Sequence, residues 1–310
     1  MNPIAGIHHV TCISGDAQRN LDFYARVLGQ RLVKTTVNFD QPGTHHLYFG
    51  DATGSPGTII TFFPWPGARK GRVGNGQVAV TSYAIPSGSM GFWQNRLKTL
   101  NISYSPVEER GEETAIQFSD VDGVRIELVA HASADKVPGW DGGPVPAHHA
   151  VRNFFGVTLW ESDLERTSRM ILTLPGFIRG ETVGDRTRFS APGSVARHVD
   201  VIHRPGQPQG GDGPGVVHHV AFRAATDADQ LAMQAYLQET GAGVTEVKDR
   251  QYFRSIYFRE PGGVLFEIAT DTPGFLVDES PEMLGMALKL PPWLEQYRGQ
   301  IEASLPKLAV

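Results

Sequence analysis

The chain has 310 residues, a length that suits about two domains. Its 40% hydrophobic and 20% charged content is globular. Its 28 basic residues against 33 acidic ones, with no Lys/Arg block, argue against nucleic acid or an anionic membrane as a partner. The single cysteine, Cys12, excludes an internal disulfide and a thiolate metal cluster. No apolar stretch approaches the ~20 residues of a membrane span, and no basic region leads into an apolar core at the N-terminus, so a cytoplasmic location is expected.

Four units of similar plan follow one another: a strand, a helix, then further short strands. The first covers 4–64. Its opening strand is 7–13, Asp16 is the expected helix cap, Leu21, Tyr24 and Leu28 recur at helical spacing, and Gly29 stops the helix. Strands are expected at 32–37, 46–49 and 58–63. The second unit, 77–130, has its strand at 78–85, a helix through Trp93, Leu97 and Leu100, and a closing strand at 123–128. The Pro-, Gly- and Asp-rich stretch 135–145 reads as a linker. The third unit, 154–203, runs from a strand at 155–160 through the Asp163 cap to a helix stopped by Pro175 and Gly176. A second linker, 206–215, precedes the fourth unit, 216–270. There a helix follows Asp227, carries Leu231, Tyr236 and Leu237, and ends at Gly241, before strands at 255–258 and around Glu267. The divisions expected are 1–145, 146–272 and a helical tail, 273–310, that caps the body or makes a dimer contact.

Two fragments at opposite ends share a frame. His8 and His9 interrupt an apolar, β-branched run, and so do His218 and His219. Adjacent strand residues face opposite ways, so each doublet offers one histidine to a common cavity: His8 with His218, or the favoured His9 with His219. Glu267 lies inside an apolar strand, where an ionised carboxylate needs a cation or hydrogen-bond partners. Two imidazoles and a carboxylate suit Fe(II), Mn(II) or Zn(II) and leave positions open for substrate. His45, His46, His148 and His149 lack the frame and are not expected to ligate, and His131, His198 and His203 read as surface or structural. Glu127 sits where Glu267 sits in its own unit, but the third unit has Gly156 in place of His9, so Glu127 reads as structural. With the ligands split between the first and last units, those two units are expected to pair. Cys12 reads as a small buried residue.

The unit plan, the opening His strand and the closing Pro261-Gly262-Gly263…Phe266-Glu267 resemble the vicinal oxygen chelate (glyoxalase/bleomycin-resistance/dioxygenase) superfamily. The stretches 28–37, 46–51, 57–64, 84–89, 249–263 and 289–295 resemble the ring-cleaving dioxygenases that act on para-hydroquinones. The resemblance implies an α+β fold of four βαβββ modules forming two incomplete, cup-shaped mixed β-barrels with helices outside. It implies Fe(II), with Mn(II) as the alternative, held by His9, His219 and Glu267, and O2 as co-substrate. It also implies second-shell or acid–base roles for His8, Thr11, His218, Arg250 and Tyr257, with His8 or His218 as a base, Arg250 stabilising anionic oxygen and Tyr257 donating a hydrogen bond. The chain departs from the family's pattern around Gln251, a loop expected to line the pocket. A small aromatic substrate and a homodimer or higher homo-oligomer are expected. A Zn(II)- or Ni(II)-dependent glyoxalase-like lyase or isomerase, an extradiol catechol dioxygenase and a non-enzymatic aromatic-binding module are the competing readings. The last has no need of the triad.

Overall fold

The computed structural model describes every residue except Met1 and Ser194. The first module comprises β1 (Ile7–Ser14), α1 (Ala17–Asp22, prolonged by a π turn over Phe23–Val27), β2 (Arg31–Asn38), β3 (Gln41–Gly50) and β4 (Ile59–Pro64). The second comprises β5 (Gln77–Ile85), α2 (Met90–Thr99), β6 (Glu108–Arg110), β7 (Glu113–Ser119) and β8 (Arg125–Ala130). The third comprises β9 (Phe154–Glu161), α3 (Leu164–Thr173), β10 (Ile178–Val183), β11 (Arg186–Ser190) and β12 (His198–His203). The fourth comprises β13 (Val216–Ala224), α4 (Asp227–Glu239), β14 (Lys248–Asp249), β15 (Arg254–Arg259) and β16 (Leu265–Thr270).

Local chemistry sets the helix ends. Asp16 and Asp163 accept from the backbone N–H groups of Arg19 and Arg166, the expected N-caps. The fourth helix differs by one residue: Thr226 is the cap, accepting from Asp229, and Asp227 is the first helical residue. Gly29 and Gly241 follow their helices with φ of 69° and 80°, the left-handed region that glycine enters without strain.

The strands form two eight-stranded mixed sheets, β14-β15-β16-β13-β1-β4-β3-β2 and β10-β11-β12-β9-β5-β8-β7-β6. Modules one and four thus share one cup, and modules two and three share the other, the pairing expected from the split ligands. In each cup the two opening strands run antiparallel (β1 with β13, β5 with β9), and each lies parallel to its own module's closing strand. The helices pack outside on an apolar core that includes Tyr24, Phe62, Trp93, Leu97, Phe222 and Phe266.

The tail is mostly irregular, with 3-10 turns at Phe275–Val277 and Glu295–Tyr297 and one short helix, α5 (Arg298–Ser304). It lies along β2: Lys289 donates to the Thr35 carbonyl, Thr36 donates to the Lys289 carbonyl, and Leu290, Leu294, Ile301 and Leu305 cover Val37. Fully buried Lys34 pairs with Asp278 and Glu279 of the tail. No helix among the described residues is long and apolar enough to cross a membrane.

Candidate metal centre

Each histidine doublet sits at a break in the β1–β13 register. Ile7 and His9 face the consecutive residues Phe222 and Ala221, so His8 is the extra residue on β1. Thr11 and Cys12 face His219 and Val217, so His218 is the extra residue on β13. Such bulges re-aim side chains. They point His9 and His219 into one cavity, where both meet Glu267 from β16.

The three ligand atoms converge. His9 Nε2 and His219 Nε2 lie 3.3 and 2.9 Å from Glu267 Oε2 and 3.3 Å from each other. Donors about 2.1 Å from a common centre and at right angles would lie about 3.0 Å apart, so the spacing fits a facial two-histidine, one-carboxylate site. All three residues are buried, and although both imidazole nitrogens lie close to it, Glu267 Oε2 accepts no well-directed hydrogen bond among the described residues. An acceptor left in that state is costly unless a cation completes it. Burial would raise the Glu267 carboxyl, but the His9 and His219 imidazoles outweigh burial and hold it well below the usual carboxylate range. Its other oxygen accepts from Ser255 Oγ.

The register also shows why three ligands are present and not four. Glu267 lies opposite Ala221, two residues beyond His219. Thr61 lies opposite Thr11, two residues beyond His9. A threonine therefore stands where the carboxylate's symmetry mate would be, and that side of the site stays open. In the second cup the same positions hold Glu127 and Asp200, opposite Ser82 and Thr158, and the histidine positions hold Val80 and Gly156. There arginines replace a metal: Arg110 lies 2.7 Å from Glu127, and Arg186 and Arg188 lie 2.7 and 2.8 Å from Asp200. Glu127 is structural for this reason.

Around the ligands lies a cavity of about 400 Å³ lined by His9, Thr11, His46, Tyr48, Phe63, Trp65, His218, His219, Arg250, Phe253, Tyr257 and Leu265, among others. His218 Nδ1 is 2.8 Å from His219 Nδ1, and His8 Nδ1 is 2.9 Å from His9 Nδ1. Burial holds both outer histidines neutral, His218 at about 3 and His8 well below its ordinary value. Only His218 reaches the cavity; His8 packs edge-on against Phe253. Arg250 Nε donates to Tyr257 Oη at 3.1 Å, while its Nη1 pairs with Asp40 at 3.0 Å. Burial, reinforced by Glu267, raises the Tyr257 phenol above its ordinary value, so it stays protonated. Gln251 adopts φ of 65° between Arg250 and Tyr252, but only Arg250 and Phe253 of that loop line the cavity.

His45 bonds the Pro306 carbonyl and His149 stacks on Phe92, both away from the ligands. His46 ligates nothing, yet it lines the cavity. With Thr61, Tyr48 and Ser255 it belongs to the site, and residue patterning passed over all four. The alternation of His46 and Tyr48 on one strand was the available signal.

A family model described as the Glyoxalase/Bleomycin resistance protein/Dioxygenase superfamily matches residues 6–128 and 162–268. The chain belongs to this superfamily. Within it, the chain is 48% identical over 300 residues to a Bacillus subtilis (strain 168) protein bearing the provisional name ring-cleaving dioxygenase MhqO, covering 97% of this chain and 95% of that protein. It is 37% identical over 317 residues to the chlorohydroquinone/hydroquinone 1,2-dioxygenase of Sphingobium indicum (strain UT26S), covering 96% and 95% of the two chains. A crystal structure of a provisionally assigned dioxygenase from Bacillus subtilis subsp. subtilis str. 168 superposes with a TM-score of 0.94 at 46% identity, over 100% of this chain and 99% of that one. Glyoxalase I from Zea mays shares the fold, with a TM-score of 0.63 at 16% identity over 86% and 92% of the two chains. With these superfamily relatives, the chain is an oxidoreductase of the ring-cleaving dioxygenase kind.

Proposed function

We propose that this enzyme opens para-dihydroxy aromatic rings with O2, using Fe(II) held by His9, His219 and Glu267. The observation that carries the reading is the facial convergence of those three buried atoms on an open, aromatic-walled cavity. Bound there, Fe(II) would acidify a coordinated hydroxyl and bring substrate and O2 together for electron exchange.

The chain's own residues define the polarity of the pocket. A His219 that ligates through Nε2 carries its proton on Nδ1 and donates it to His218 Nδ1. Neutral His218 then carries its own proton on Nε2. It therefore offers the substrate a hydrogen-bond donor at Nε2. Tyr257 accepts from Arg250 and so turns its O–H into the cavity. Arg250, braced by Asp40, adds a fixed positive charge. Three donors thus surround the space next to the ligands, which favours a deprotonated hydroquinone and the anionic oxygens that develop as its ring opens. Phe63, Phe253 and Leu265 supply apolar walls for the ring and exclude water.

The test is oxygen uptake by anaerobically Fe(II)-loaded protein offered hydroquinone, methyl- and chlorohydroquinones, and catechols. The reading expects stoichiometric uptake with a ring-opened product from a hydroquinone. Uptake with catechols alone would move the substrate class, and no uptake despite bound iron would overturn the reading.

A further inference from the structure

Four polar side chains cross the inner face of the first cup beside the ligands: Thr11 on β1, Thr61 on β4, and His46 and Tyr48 on β3. Tyr48 Oη lies 2.8 Å from His46 Nδ1, and His46 Nε2 lies 2.8 Å from Thr61 Oγ1. Thr61 Oγ1 donates to Thr11 Oγ1 at 2.9 Å. The protons along this row can be counted. Thr61 has one hydroxyl proton and directs it to Thr11, so it must accept from His46 Nε2–H. Neutral His46 then has a lone pair at Nδ1, which accepts the Tyr48 O–H. Burial, reinforced by nearby His9 and His219, holds His46 well below its ordinary pKa, consistent with that neutral form. The imidazole is also wedged between Tyr48 and Phe63, with ring centroids 4.1 and 4.3 Å away, which fixes its plane. The Thr11 hydroxyl proton alone finds no acceptor among the described residues, and Thr11 lines the cavity.

We propose that His46 is a positioning residue: the one-way chain from Tyr48 through His46 and Thr61 obliges Thr11 to present its O–H, and not its lone pair, to an anionic oxygen in the metal pocket. A reversed His46 tautomer would turn Thr11 into an acceptor and repel that oxygen. The identity of the anion rests on the hydroquinone reading above; the direction of the chain does not.

Two measurements separate these. In the full chain loaded with diamagnetic Zn(II) and labelled with 15N-histidine, the His46 resonances are assigned by comparison with His46→Gln. The expected result is an unprotonated Nδ1 and a protonated Nε2; the opposite tautomer overturns the proposal whatever the enzyme's substrate. In the Fe(II)-loaded enzyme, Thr61→Val is expected to raise KM for the hydroquinone about 10-fold, as for loss of one hydrogen bond to a charged group. Thr11→Val should do the same, iron content should be unchanged, and the double variant should be no worse than either single one. Losses that multiply in the double variant would show that Thr61 does not act through Thr11 and would overturn the proposal. A wild-type enzyme that opens no hydroquinone refutes the functional reading alone, and the tautomer measurement still decides the chain.

Discussion

The Nδ1 atoms of His218 and His219 lie 2.8 Å apart, a contact between sequence neighbours that a regular strand would hold on opposite faces. The register break at His218 permits it, and the break at His8 repeats it with His9. Each ligand is thereby oriented by the residue just before it. His218→Phe would leave the His219 Nδ1–H buried without an acceptor. The expected cost is a 10–100-fold loss of metal affinity, read by competition with a chromogenic chelator. His8→Phe should behave alike, and unchanged affinity in both would remove the orienting role.

Glu267→Gln keeps the volume of the side chain but removes the anion between the two imidazoles. The purified variant is expected to hold almost no iron after dialysis, while far-UV circular dichroism stays native. Normal iron content by metal analysis would sink the ligand assignment.

Arg250 is held from two sides, by Asp40 and by the Tyr257 hydroxyl. A lysine cannot reproduce that fork. Arg250→Lys should lower kcat about 100-fold or more, as for loss of one preorganised donor to developing negative charge. Asp40→Asn, at the exposed rim, should cost far less. Equal losses in the two variants would mean that the guanidinium acts only through its ion pair.

Glu161 and Glu260 form a buried carboxyl pair between modules three and four. Burial, reinforced by Glu260, pushes the Glu161 carboxyl up to about 9. A carboxyl titrates near 4.3 in an unfolded chain. The stability that the protonated form contributes is therefore whole below that pH and is lost as pH rises through about 9. His198 and His218, held down at about 3 in the fold, have the opposite sign: their contributions are whole above about pH 6.5, outside this window. The wild-type Tm should fall from pH 7 to pH 9, whereas Glu161→Gln should flatten that fall and melt several degrees higher at pH 9. Parallel Tm curves would refute the shifted carboxyl.

Much of the molecule was legible in order of residues. The repeated strand–helix plan, the Asp16 and Asp163 caps and the glycine stops are local effects, decided within one turn or one strand. The His8-His9 and His218-His219 frames, with a carboxylate in an apolar strand, marked the ligands, and their split between the first and last modules implied which modules pair. The small strands β6, β7, β10, β11, β12 and β14 were not marked: β6, β10 and β14 are short or largely exposed, and β7, β11 and β12 carry charged or polar residues that interrupt their apolar runs. Likewise, nothing local distinguishes Thr226 from Asp227 as the cap.

From the order of residues alone came the module plan, because periodicity is a property of neighbours along the chain, and, through the resemblance to the superfamily, His9, His219 and Glu267 as candidate metal ligands. Only the tertiary structure decided the two register breaks that aim the ligands, the Thr61 that leaves a fourth side open, the Asp40 brace on Arg250 and the course of the Tyr48–His46–Thr61–Thr11 row. Those relationships join residues on different strands. Their geometry follows from how the sheets hydrogen-bond and pack, and a shift of one residue in that register would turn each side chain to the other face.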